Sequence, residues 1–110
     1  MVPILVSALQ RAGTRQVLDL CSGAAGPWLW LHPILVDRGL SVSVCLTDRY
    51  PNLNALIQSS QSAEHPVGYH SQPVDATRVP DELVGFRTMF SSFHHFRPAE
   101  ARAVLADAMR

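Results

Sequence analysis

Lysine is absent from this chain: its nine basic residues are all arginine, and nine acidic residues balance them. Without an excess of positive charge, no net field gathers nucleic acid or anionic lipid. Cysteine is scarce. Two thiols, Cys21 and Cys45, cannot build a disulfide scaffold, and both sit in strand-like surroundings, so reduced thiols are expected. A long hydrophobic run is also missing. The greasiest stretch, "WLWLHPILV", is broken by His32 and Pro33 and is far too short to span a bilayer. The apolar opening "MVPILVSALQ" carries no basic leader, so we read no signal peptide there and expect a cytoplasmic, membrane-free protein. Charged residues are only 16 % of the chain against 47 % hydrophobic, which excludes disorder and favours a packed core. The 110 residues suit one domain.

What is present alternates in kind. Ile4, Leu5, Ala8, Leu9 and Ala12 recur at helical spacing, with Gly13 where a helix stops. "QVLDL" is a short β-favouring run. Pro27 suits a first helical turn, and the spacing predicts a helix from Trp28 to Arg38, closed by Gly39 and kinked or shortened by Pro33. Trp28 and Trp30 flank its start and are read as packing residues. "SVSVCLTD" reads as a second strand ending at Asp48. A modest helix opened by Pro51 runs to about Ser60. A third, weaker strand lies in "VGYHSQPVDA" and ends near Asp75; "RTMFSS" is a fourth, and Pro98 opens a helix that runs to the end. Strands alternating with helices predict an α/β domain with a mainly parallel sheet flanked by helices. In such sheets ligands bind beyond the carboxyl ends of the strands. Asp19, Asp48 and Asp75, then Ser91 and Ser92, fall at those ends.

The string "CSGAAG", residues 21–26, follows the first strand. Small residues there permit a tight turn and close approach of backbone N–H groups to a ligand. A helix N-terminus behind them favours a negative group. An acid at the end of the second strand is placed to accept from a ribose diol. Together these features point to a nucleoside-containing cofactor.

A dinucleotide loop reads G-x-G-x-x-G, and its first glycine is here a cysteine. The spacing fits hh-D-h-G-x-G-x-G better, with Asp19 as the acid and Cys21, Gly23 and Ala25 at the glycine positions. In this the chain resembles the Rossmann-like S-adenosylmethionine-dependent methyltransferases. "VLDLCSGAAG" resembles their first motif, "VCLTD" the second, "VDATRVP" the third and "TMFSSFHHF" the fourth, across nearly the whole chain. The resemblance implies S-adenosyl-L-methionine as cofactor. It implies that Asp19, Cys21, Ser22, Gly23 and Ala25 form the methionine-side loop, with Asp19 organising it or meeting the amino group. Asp48, beside Arg49, would take the ribose hydroxyls, and Asp75 with Ala76 the adenine edge. Ser91, Ser92 and Phe93 would lie near the sulfonium. Ser92, His94 and His95 are the candidates for work on the methyl acceptor, a small molecule rather than nucleic acid. The family's sheet continues for three more strands, so the resemblance implies an incomplete domain, with an exposed sheet edge open to self-association.

Plainer readings stand beside these. Cys21 suits a small packing thiol better than a nucleophile. Asp48 before Pro51, and Asp75 in "VDATRVP", also suit turn-capping roles. The adjacent histidines in "FHHF" point to different sides and lack partner spacing, so no metal is expected. An NAD(P)-dependent oxidoreductase would share the fold and Asp48, but no tyrosine or lysine stands near the fourth strand. A non-catalytic interaction module would keep the fold and lose the ligand.

Overall fold

The computed structural model of the chain describes residues 2–23, 27–55, 57, 67–90 and 96–109. Helix α1 (Val2–Ala12) precedes strand β1 (Gln16–Leu20), helix α2 (Trp28–Asp37) and strand β2 (Ser43–Leu46). Strands β3 (Val67–Tyr69) and β4 (Phe86–Met89) follow, then helix α3 (Pro98–Ala108). In the β2–β3 connection, positions 53–55 and 57 are helical. The four strands form one all-parallel sheet in the order β3-β2-β1-β4. This is a Rossmann-like α/β arrangement.

Periodicity places the core. Side chains in register across a parallel sheet point to the same face. Val67, Val44, Val17 and Phe86 form one such row, and α1 and α2 cover it with Leu5, Leu9, Trp28, Leu31 and Leu35. Leu18 and Leu20 point the other way, into a second core with Val74, Ala76, Val79 and Val104 of α3. Burial on both faces explains why β1 reads as an almost unbroken apolar run, since it lies between β2 and β4.

Local signals worked as expected at most joints. Gly13 and Gly39 take left-handed φ values of 68° and 82° just past α1 and α2, where a Cβ would strain the turn. Pro33 does not end α2, which continues to Asp37. The burial of Leu31, His32 and Leu35 against the sheet holds the turn that Pro33 weakens. His32 Nε2 donates to the Val42 carbonyl at 2.7 Å, tying α2 to the approach of β2. Trp28 is fully buried, with Phe90 edge-on at 6.1 Å, whereas Trp30 is half-exposed.

The third strand needs correction. It ends at Tyr69, well short of Asp75. Pro73 has no N–H to donate to a ladder, and the chain instead folds back over the sheet edge. There the Val74 N–H donates to the Asp48 carbonyl at 2.8 Å. Asp75 therefore reaches the rim on a loop and not on a strand.

Candidate functional site

The chain steps from β1 to β2 to β3 in one direction and then returns to place β4 on the far side of β1. In sheets of this kind ligands bind beyond the carboxyl ends of the strands at the reversal, which here falls between β1 and β4. Asp19 stands there. In register it shares a row with Tyr69, Leu46 and Thr88, on the face covered by α2. A carboxyl occupies a position that the alternation gives to an apolar side chain. It is 2 % exposed.

Asp19 is consequently well bonded. The Ser22 hydroxyl donates to Oδ2 at 2.6 Å, and the Thr88 hydroxyl donates to Oδ1 at 2.6 Å. Burial raises the Asp19 pKa above the ordinary carboxylate value. The bonds from Ser22 and Thr88 and the nearby Trp28 indole oppose that shift, while Asp48 adds to it. Among the described residues the Trp28 indole N–H is buried with no hydrogen-bond partner.

Around Asp19 the loop is laced to β2. The Thr47 N–H is shared between the Asp19 carbonyl at 2.9 Å and the Ser22 hydroxyl at 3.1 Å. The Thr47 hydroxyl donates to the same carbonyl at 2.8 Å, and the Ser22 N–H to the Thr47 carbonyl at 2.8 Å. Ser22 thus serves the scaffold; its hydroxyl is buried and spent. Thr47 and Thr88 were not singled out in the sequence. The signal was present, a hydroxyl residue closing each of "CLT" and "RT", but threonine is common in strands.

Cys21 adopts φ 56°, the left-handed region that glycine enters freely. A cysteine here takes a backbone conformation that glycine adopts without strain. Its thiol is pushed up to about 11 by burial first, then by Asp48, Asp19 and Asp75. All three carboxylates therefore act on one point of the rim. A thiol so raised is protonated at neutral pH, which fits packing and not nucleophilic attack.

Gly23, at φ 57°, is exposed, and a Cβ built there would meet nothing within 4 Å. Its N–H, expected to approach a ligand, instead donates to Asp48 Oδ2 at 2.9 Å. Asp48 Oδ1 lies 3.4 Å from the Tyr50 N–H. Asp75 Oδ1 accepts from the Thr77 N–H at 2.9 Å and the Thr77 hydroxyl at 2.7 Å, which lowers its pKa. Asp75 Oδ2 meets Arg49 Nη1 at 3.1 Å, a further lowering influence. Ala76 is buried in the second core. Ala25, Ser91, Ser92, Phe93, His94 and His95 lie outside the described residues.

Two open cavities among the described residues flank the sheet. One of about 230 Å³ is framed by Gln16, Ser43, Cys45 and Leu83, toward the strands' amino ends. Another, about 290 Å³ and mostly apolar, lies between Ile4 and Ala8 of α1 and Phe86, Thr88, Met89 and Phe90 in and just beyond β4, so it reaches the hydroxyl residue that bonds Asp19. Neither is lined by Asp19, Asp48 or Asp75. No described helix is long and apolar enough to cross a membrane. The chain matches no protein-family model, and neither a curated protein nor a solved structure aligns with it significantly.

Proposed function

We propose that this chain binds S-adenosyl-L-methionine and is the cofactor-binding portion of a methyltransferase. One observation carries the reading: at the sheet's reversal point Asp19 bonds Ser22 and Asp48 bonds the Gly23 N–H of the loop after β1, while Asp75 is tied to Arg49 beside Asp48. A rim with the accessible carboxylates of Asp48 and Asp75 suits a ligand bearing a sulfonium, an ammonium and a ribose diol. The same charge repels the pyrophosphate of a dinucleotide. Open space above Gly23 leaves room for such a ligand to lie on the loop.

The roles follow from the donors and acceptors. Asp48 is the acceptor for the ribose hydroxyls, and Asp75 recognises the adenine edge. Asp19, too buried to meet the ligand broadly, holds the loop through Ser22, Thr47 and Thr88. Cys21 and Gly23 supply backbone that curves around the methionine moiety. The cofactor supplies an activated methyl group, displaced in line by an acceptor nucleophile. The chain's own contribution is orientation and a partly dry pocket. With no net charge to gather polyanions, a small-molecule acceptor is favoured over nucleic acid.

Because every rim carboxylate already has partners within the chain, a non-catalytic module of the same fold is the second reading. Thermal shift separates the cases. S-adenosylhomocysteine at about one hundred times its Kd adds about 2.7 kcal/mol, several degrees for a chain of this size. Stabilisation by NAD alone makes the chain a nicotinamide binder. Stabilisation by neither ligand favours the interaction module.

A further inference from the structure

Arg49 lies across one side of the crevice. Its Nη1 meets Asp75 Oδ2 at 3.1 Å, which joins the loop after β2 to the loop after β3. The guanidinium carbon sits 5.8 Å from the Tyr50 ring centroid. Tyr50 and Asp75 both favour its charged form, and Glu100 in the first turn of α3 adds to this. One arm therefore reaches from the loop after β2 to the β3–β4 connection. Thr77 already fills Asp75 Oδ1 with two hydrogen bonds. Oδ2 is the oxygen turned to a second partner, and Arg49 holds it.

We propose that the Arg49–Asp75 ion pair is a latch over the adenosine end of the crevice, which a nucleoside ligand must open to reach Asp75. This rests on the nucleoside-binding reading above and adds a conformational step to it. The side chains are 58 % and 40 % exposed, so water and salt screen the pair and opening it is easy. The released guanidinium keeps the Tyr50 ring beside it. A closed latch lowers apparent affinity by the fraction of molecules that are open.

Calorimetric titration of S-adenosylhomocysteine into the wild-type chain and Arg49→Gln tests this, with circular dichroism confirming that both are folded. The exposed side chain makes the variant safe for folding. Arg49→Gln binds about two- to fivefold tighter, and that ratio narrows as salt is added, because screening loosens the wild-type pair and acts alike on the ligand in both proteins. Equal or weaker binding by a folded variant, with wild type still binding, overturns the latch and spares the nucleoside reading. Binding by the variant alone upholds the latch in its strongest form. Binding by neither overturns both.

Discussion

Asp19 pays a desolvation cost that its neighbours only partly offset, and its pH behaviour follows. Its pKa is raised, so the folded chain holds the proton more tightly than the unfolded one. Its contribution to stability is fullest below the ordinary aspartate value and is lost as pH rises through the raised one. Asp19→Asn keeps the shape without the charge. Urea titrations should show an unchanged or higher stability than wild type at pH 8, with a flatter profile below it. Asp19→Ala strands the Ser22 and Thr88 hydroxyls and costs about 2 kcal/mol. Asp75 has the opposite sign: its pKa is lowered, so its contribution is present at neutral pH and fades as acid protonates it. Cys21 tests the backbone. Cys21→Gly relieves a left-handed L-residue and should leave denaturant stability within about 0.5 kcal/mol or raise it, while Cys21→Val costs about 1–2 kcal/mol. Thiol titration should find Cys21 slow to react at pH 7, with its rate climbing steeply above pH 9 in line with a value of about 11.

Among the elements, β4 depends on how it enters the sheet. Gly85 precedes it at φ 145°, and an added Cβ would stand 3.0 Å from the Gln16 carbonyl oxygen, which is backbone and cannot turn away. Gly85→Ala should therefore cost about 1–3 kcal/mol in chemical denaturation. Helix α3 is fastened to the same strand by a nearly buried charge. Asp107 Oδ2 accepts from Arg87 Nη1 at 2.7 Å and from the Val79 N–H at 3.0 Å. Asp107→Ala abandons both donors and should lower stability by about 2–4 kcal/mol, read from the same unfolding curves. The sequence showed α3 by Pro98 and its alanine-rich pattern. It did not show Asp107 turning inward, because an isolated acid on a helix is normally solvated.

For the molecule as a whole, the sheet's order makes the crevice, and the acids give it its sign. Asp48 is the test of the site as a unit, since it both steadies Gly23 and faces the proposed ribose. Asp48→Ala should leave a folded chain but weaken S-adenosylhomocysteine about 10- to 100-fold, the effect of losing charge-assisted bonds to a diol. Isothermal titration measures this directly, and an unchanged affinity removes Asp48 from the site.

The α/β class, both glycine stops and the placing of Asp19 and Asp48 at the ends of the first two strands were legible from alternation, punctuation and spacing. Such signals are local, and each strand or cap is governed by a few neighbouring residues. Four matters needed the folded chain: that β3 stops at Tyr69, that Asp75 returns on a loop, that Thr47 and Thr88 brace Asp19, and that Arg49 closes on Asp75. Each joins residues distant in sequence, such as Thr88 to Asp19 across 69 positions. Linear pattern names the groups available. Strand order and register decide which of them meet, because a parallel sheet brings its partners together only after the intervening chain has crossed over.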